Sequence, residues 1–413
     1  MYTVRKVTDD LYYVGGDDRR LALFENIFPI DGVSYNSYLL MDEKTVLIDS
    51  VDWSITREYI LNVSRVLGDR DLDYMIIQHM EPDHCSAIEL MLHYYPNVKI
   101  IASEKAILFM RQYGYHVEER YIEVKEGDSI SFGKHEYTFV EAPMVHWPEV
   151  LMTYDLTDKV LFSADAFGSF KSNDGRLFAD EVNWDRDWLD EGRRYYTNIV
   201  GKYGTFVQAV LKKAAGLDIK YICPLHGLVW RKDFGYILDK YDKWSSYQPE
   251  EEGVLIAYAS MYGNTEYAAQ ALASKLAERG MTNISLRDVS STDVSYLIAD
   301  AFKYSNIVLA SVTYNLGIYP KMKDFIHDMA ALNVQNRAIS LMDNGSWAPT
   351  AADKMEKFLD EEMKLIDVLP EQVNIVSSLK SAKEPDMDAL VDGIFESMKK
   401  RREEVEKAKD QKK

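Results

Sequence analysis

The stretch His79-Met80-Glu81-Pro82-Asp83-His84 places four potential metal ligands within six residues. The apolar run Tyr74-Met75-Ile76-Ile77 leads into it and reads as a buried strand, so the polar cluster sits on the loop where that strand ends. Three further candidates come later in the chain, each closing an apolar, strand-like run. These are His146 after 137–140 with a short continuation, Asp165 after Val160-Leu161-Phe162-Ser163, and His226 after Ile219-Lys220-Tyr221-Ile222-Cys223. A single Asp or His in a turn is ordinary. Four histidines and three carboxylates, all at strand ends, point to a two-metal site.

At 413 residues the chain is too long for one core and suggests two or three domains. A net charge of −19 argues against nucleic acid and against anionic membrane surfaces, both of which ask for a basic face. No N-terminal apolar h-region and no long apolar span occurs, so neither a signal peptide nor a membrane anchor is expected. Cys85 and Cys223 are the only cysteines, each directly beside a ligand motif. No disulfide is expected, and a reducing, cytoplasmic location is. Two thiols also fall short of the roughly four that a rubredoxin or iron–sulfur module needs.

Residues 1–70 read as strands with tight turns, at 2–7, 11–14, 37–41 and 45–49, with Gly15-Gly16 as a break. Helical periodicity marks 54–66, 86–95 and 105–113, and Ser86 is placed to cap the helix after the metal loop. Strands and helices then alternate to about residue 245. The polar stretch 246–253, punctuated by Pro249 and Gly253, reads as a linker between a first domain over 1–245 and a second over 254–398. The almost wholly charged 399–413 reads as a solvated, fraying helical tail with no function of its own.

The second domain opens on a buried strand, Val254-Leu255-Ile256-Ala257-Tyr258-Ala259. It runs into Ser260-Met261-Tyr262-Gly263-Asn264-Thr265 and then a helix with Ala268, Leu272 and Leu276 on one face. A loop at a helix N-terminus offers free N–H groups and a favourable dipole, which suits a phosphate. It has no Lys, so it is not a Walker loop, and it lacks Gly-x-Gly-x-x-Gly. Two later strand ends match it: 307–310 leads into Ser311-Val312-Thr313-Tyr314-Asn315-Leu316-Gly317, and 337–342 into Asp343-Asn344-Gly345-Ser346-Trp347.

The metal pattern resembles the metallo-β-lactamase superfamily, whose first loop usually reads His-x-His-x-Asp-His. Here Glu81 stands where the second His would be. Imidazole-rich sites suit zinc, and a carboxylate in place of a nitrogen donor moves a site toward harder, redox-active metals such as iron. With Glu at that position the chain resembles the flavodiiron proteins (A-type flavoproteins) over roughly residues 1–398. The 260–265 loop is similar to the flavodoxin phosphate loop. The resemblance implies an α/β protein: an N-terminal metallo-β-lactamase-like αββα sandwich, then a C-terminal flavodoxin-like doubly wound parallel sheet with FMN outside the carboxyl ends of its strands.

It also implies residue roles. His79, Glu81, His146 and Asp165 would hold one iron; Asp83, His84, Asp165 and His226 would hold the other, with Asp165 bridging through one oxygen. FMN would meet Ser260, Met261, Tyr262, Gly263, Asn264, Thr265, Thr313, Tyr314, Asn315, Gly317, Gly345, Ser346 and Trp347, with Tyr314 and Trp347 flanking the ring system. The third loop departs from the Gly-Ser-Tyr-Gly-Trp of many relatives, reading Gly-Ser-Trp-Ala-Pro. Asp49 stands where the superfamily keeps an Asp that braces the metal loop, and reads equally as a cap. Tyr195 and Tyr196 resemble a tyrosine pair near the site and read equally as core packing. His93, His116, His135 and His327 read as surface or structural residues.

The function implied is reduction of O2 to water, NO to N2O, or both, with electrons passing through FMN from a rubredoxin-like donor. The assembly implied is a head-to-tail homodimer, or a dimer of such dimers, with no nucleic-acid or membrane partner. Two rivals stand beside it. One is a zinc-dependent metallo-β-lactamase-type hydrolase fused to a flavodoxin-like electron carrier, against which Glu81 speaks. The other is a flavodoxin-like shuttle with a dead hydrolase domain, against which seven intact ligands speak. The preference between O2 and NO is open, because both would use the same ligands.

Overall fold

Apolar residues on facing strands join two sheets into one core in the first half of the chain. One sheet has seven strands in the order Arg5–Lys6, Leu11–Tyr13, Tyr38–Met41, Thr45–Ile48, Tyr74–Ile77, Lys99–Ala102 and Tyr121–Glu123. Its first four strands pair antiparallel and the remainder parallel. The other has five, Ser129–Ser131, Glu136–Glu141, Leu151–Asp155, Val160–Phe162 and Tyr221–Cys223, of which the last pair is parallel. Ile48, Ile76 and Ile101 from the first sheet bury with Phe139, Leu151, Phe162 and Cys223 from the second. Burying such side chains is worth about 1.5–3 kcal/mol each, which holds the sandwich shut. The computed structural model describes residues 3–410, and the chain divides into two compact units between Asp242 and Lys243. Residues 1–2 and 411–413, and with them the ends of the expected strand 2–7 and tail 399–413, lie outside the described residues.

Local differences from expectation have physical causes. The strand expected over 45–49 stops at Ile48, because Asp49 turns the chain with φ +54°. Ser86 does not cap the next helix. It closes the single turn Pro82–Cys85, its hydroxyl donating to the Pro82 carbonyl, and Ala87 precedes the helix Ile88–Tyr94.

The second unit is a parallel sheet in the order Ile284–Asp288, Glu251–Ala259, Tyr304–Tyr314, Arg337–Asn344, Ile366–Ile375. Counted along the chain this is 2-1-3-4-5, one of the two doubly wound orders. The period-2 alternation of its strands feeds two cores. Leu255, Ala257, Ile307, Leu309, Ile339 and Leu341 pack against the helices Val294–Lys303, Pro320–Ala331 and Ala351–Glu362. Val254, Ile256, Val308, Ala310, Met342 and Val373 pack against Asn264–Glu278 and Glu384–Asp410.

The stretch expected as the linker 246–253 is built into this unit. Its strand already begins at Glu251, and Ser245, Tyr247 and Glu250 are buried. The Tyr247 carbonyl accepts hydrogen bonds from Arg337 and Asn336 (2.8 and 3.2 Å). The tail is likewise anchored where expectation had it only solvated. Arg401 donates to the Asn336 carbonyl and the Gln248 side chain (2.8 and 2.7 Å). Among the described residues no helix is long and apolar enough to cross a membrane.

Candidate metal centre and cofactor cleft

Four strand ends supply the ligands. His79 and Glu81 come after the strand Tyr74–Ile77, and Asp83 and His84 sit in the turn of helix Pro82–Cys85 that Pro82 starts, rather than on open loop. His146, Asp165 and His226 come just past Glu136–Glu141, Val160–Phe162 and Tyr221–Cys223. Left-handed backbone gathers beside them, at Asp49 (φ +54°), Met144 (+63°), Ala164 (+49°) and Phe167 (+69°). Such conformations persist where the surroundings force side chains into a required direction. Gly227, next to His226, has φ +74°, and a Cβ there would lie 2.3 Å from Ser169 Oγ. Only glycine fits.

The seven residues form two sets. The donor atoms of His79, Glu81, His146 and Asp165 lie within 4.8 Å of one another, as do those of Asp83, His84 and His226. Asp165 faces both sets. Its Oδ2 is 3.2 Å from His79 Nε2 and 3.1 Å from His146 Nε2, while its Oδ1 is 3.2 Å from His84 Nε2 and 3.6 Å from His226 Nε2. The carboxylate therefore turns one oxygen to each set. Glu81 Oε2 approaches His146 Nε2 and His79 Nε2 (3.0 and 3.3 Å), and Asp83 Oδ2 approaches His226 Nε2 and His84 Nε2 (3.2 and 3.4 Å). His84 Nε2 and His226 Nε2 point at each other across 3.0 Å.

Electrostatics test what could sit there. Burial alone would raise the Asp165 carboxyl, yet His84 and His79 beside it hold it well below the usual range. Burial would lower His146, but hydrogen bonds to Asp165 and Glu81 push it up to about 9. The carboxylates outweigh burial and draw protons onto His79, His84 and His146. Apart from the imidazoles that face them, both oxygens of Asp165 and of Asp83 are buried without a partner. Buried carboxylates left in this way ask for metal cations, and the mixed N/O donor set fits iron.

Several residues around the ligands are not anticipated by the sequence. Glu149 Oε1 accepts from His79 Nδ1 (2.8 Å) and the Met80 N–H (2.9 Å). His226 Nδ1 donates to the Ser34 carbonyl at 2.8 Å. Phe24, on the hairpin Leu23–Phe24/Phe28–Pro29, and Tyr35 set their rings 5.4 and 5.7 Å from His226. Trp147 meets the His79 ring at 5.3 Å and 90°. No spacing rule points to Glu149 or Phe24; Trp147 carries a signal in its place directly after His146. Asp49 braces the loop rather than capping a helix. Its carboxylate accepts from the Gln78 N–H and side chain (2.8 and 2.9 Å), and burial pushes it up to about 6. Tyr195 stands 5.5 Å from the His226 ring, whereas Tyr196 packs on Tyr241. His93, His116 and His327 are exposed, and His135 is buried between Asp155 and Asp10. Cys85 and Cys223 are buried and free.

In the second unit a cleft of about 240 Å³ opens at the carboxyl ends of the strands. Ser260, Met261, Tyr262, Asn264, Thr265, Thr313, Asn315, Gly345, Ser346 and Trp347 line it. Gly263 precedes the helix Asn264–Glu278 at φ +87°, and no side chain caps that helix. Its first N–H groups are therefore open to an anion, as a phosphate requires. Tyr314 and Gly317 do not line the cleft. They pair across a tight hairpin, and the Tyr314 ring turns to Tyr319 at 6.0 Å, so Trp347 alone of the expected aromatic pair lines the cleft. The Thr313 hydroxyl is committed to the N–H groups of Thr350 and Ala351. Val312, Leu316, Asn344, Ala348 and Ser377 complete the lining, Ser377 from a fourth strand end beyond the three expected loops. Asn264→Ala with Thr265→Ala is expected to weaken FMN binding by about ten- to a hundredfold, or roughly 1.4–2.8 kcal/mol. Metal content should not change. Undiminished flavin after gel filtration would place the phosphate elsewhere.

Comparison with known proteins shows the same division. Residues 33–227 match the ODP family beta lactamase and residues 255–374 the flavodoxin domain. The chain is 32% identical over 393 residues to the anaerobic nitric oxide reductase flavorubredoxin of Klebsiella pneumoniae, covering 93% of this chain and 78% of that one. Among solved structures it is similar to the flavodiiron protein from Giardia intestinalis (25% identity, TM-score 0.89) and to rubredoxin oxygen:oxidoreductase from Desulfovibrio gigas (25%, 0.88). Each match covers 96% of this chain and 98% of the other.

Proposed function

This chain belongs to the flavodiiron protein family, and on that footing we propose that it reduces dioxygen to water, nitric oxide to nitrous oxide, or both, as an oxidoreductase carrying FMN and a non-haem diiron centre. The observation that carries the reading is Asp165, one oxygen turned to each ligand set, with Glu81 where a hydrolase of related fold would have an imidazole. Bound iron would supply redox-active positions open to a diatomic gas, and bound FMN would take and pass on electrons singly. His79, Glu81 and His146 would hold one metal and Asp83, His84 and His226 the other, leaving each with room for substrate. The rings of Phe24, Tyr35 and Tyr195 around His226 exclude water from that side. The open N-terminus of Asn264–Glu278 would hold the flavin phosphate, and Trp347, which lines the cleft, would pack against the flavin. The hydrolase alternative is set aside, since the likeness to flavorubredoxin runs through both units and hydrolysis has no use for a flavin cleft.

Electrons come from a rubredoxin-like donor protein, and the reducing cytoplasm is the matching compartment for two buried free thiols. The working unit is a head-to-tail dimer. A domain of this size has a radius of gyration of about 18 Å, so cofactors in separate units of one chain can stand too far apart for fast tunnelling. An antiparallel pair brings one chain's flavin to the other's irons and closes with twofold symmetry.

The test is anaerobic stopped-flow oxidation of the fully reduced protein by each gas in turn, with metal and flavin assayed on the same sample. Iron and flavin in a ratio of about two to one, and rapid reoxidation of both by at least one gas, are expected. Stoichiometric zinc with negligible iron in protein from an iron-replete host would end the redox assignment.

A further inference from the structure

We propose that Glu149 is a positioning residue that makes the two metal positions unequal, so that the position built on His79, Glu81 and His146 keeps its metal longer than the one built on Asp83, His84 and His226. The inference rests on the diiron reading of the site.

The difference lies behind the ligands. Glu149 is buried, and its Oε1 accepts from both His79 Nδ1 and the Met80 N–H, at 2.8 and 2.9 Å. Its other oxygen has no hydrogen-bond partner. Among the described residues the only cationic or imidazole group paired with it is His79. A buried carboxylate needs positive charge close by, and here the charge can reach it only through the His79 ring. That hydrogen bond fixes the tautomer with Nε2 toward the donor set and makes the imidazole more electron-rich, hence a stronger ligand.

The other position has no such support. His226 Nδ1 donates to the neutral Ser34 carbonyl at 2.8 Å, and His84 Nδ1 is buried with no partner at all. A carbonyl orients a ring but adds no charge, and an unsupported ring is held only by packing. With three side chains and one oxygen of Asp165 on each side, a charged partner stands behind a ligand imidazole at the first position and behind neither imidazole of the second.

The experiment is a chelator challenge of the reduced, iron-loaded, FMN-replete protein, with release followed by the colour of a ferrous chelator. Wild type is expected to lose iron in two phases of equal amplitude. Glu149→Gln keeps an acceptor of the same shape but removes the charge. It should speed the slow phase about ten- to a hundredfold and leave the fast phase alone, in line with the usual effect of losing a carboxylate behind a metal-bound histidine. In iron-57-loaded samples one Mössbauer doublet should shift in the variant while the other stays, which a merely structural loosening would not produce. Far-UV circular dichroism and FMN content report folding. Should Glu149→Gln fail to fold, Glu149→Asp, the same charge drawn back by one methylene, must still speed the slow phase selectively. Single-phase release from wild type, an unaltered slow phase in the variant, or equal movement of both doublets overturns the proposal. A protein that never takes up two irons overturns the diiron reading itself, whereas two irons released indifferently to Glu149 sink only this inference.

Discussion

Asp165→Ala is expected to strip both metals from the chain while flavin content stays at the wild-type level. Asp165 is the one side chain with an oxygen toward each set, so its loss takes a charged ligand from both positions at once. It also takes negative charge away from four buried imidazoles, so the donors that remain offset less of the charge of a bound cation. A loss of about 4 kcal/mol per metal, a thousandfold in affinity, is a fair expectation. Gas reduction should fall at least as far. The flavin loops lie in the other unit, so flavin lost together with iron would show that the cofactors are not independently housed. The same variant tests the dimer. Paired with an Asn264→Ala, Thr265→Ala chain through two different tags, it puts intact irons opposite an intact flavin once per dimer. About half of wild-type activity should return if electrons cross between chains, and none if they travel within one.

The second large effect is expected far from either cofactor. Arg337 is 2% exposed and has no carboxylate partner among the described residues. It donates instead to carbonyls: Ala301 and Phe302 in the last turn of Val294–Lys303 (2.8 and 2.6 Å), Tyr247 (2.8 Å) and Gln335 (2.5 Å). The helix end supplies the negative pole that a carboxylate would otherwise provide. Arg337→Met keeps much of the volume, takes the guanidinium donor from the Ala301, Phe302 and Gln335 carbonyls and leaves Tyr247 with Asn336 alone. The expected cost is about 3–5 kcal/mol, in the range for stripping one member from a buried charged network. For a unit of this size that lowers the unfolding midpoint by roughly 10 °C or more. Differential scanning calorimetry with a flavin-release readout should show the second unit melting early, and iron lost only later. A midpoint within about 2 °C of wild type would mean that water replaces the guanidinium at little cost.

The metal ligands are legible in the sequence because chemistry concentrates them locally. His79, Glu81, Asp83 and His84 fall within six residues, and each later ligand follows an apolar run whose period identifies a strand. The doubly wound order is legible for the same reason, through its alternation of buried strands and amphipathic helices. Features set by partners distant in sequence are not. Glu149 is one acidic residue among 67, and only the docking of two sheets puts it behind His79. The segment 246–253 has a linker's composition, and nothing in its own residues reveals that Arg337 ties it down. Position after a strand assigns Tyr314 to the flavin, but the hairpin closed by Gly317 turns it away. Ser377 becomes visible once the residues beyond every strand of a parallel sheet are weighed, rather than those beyond three of them.

The distribution of ligands over both sheets also fixes an order of events during synthesis. The last ligand, His226, precedes the boundary at Asp242, so the whole metal-binding unit is synthesised before the first strand of the flavin unit, Glu251–Ala259, and well before the later flavin loops. Domains generally fold as units as the chain emerges, N-terminal first. Iron can thus be captured by a nascent chain that has no flavin site, and since both sheets must already be docked for the ligands to meet, capture locks the sandwich by mass action. Cells short of iron would then release a protein whose electron carrier is complete and whose first half is the weaker, more protease-sensitive part, and limited proteolysis of metal-starved material should cut there first.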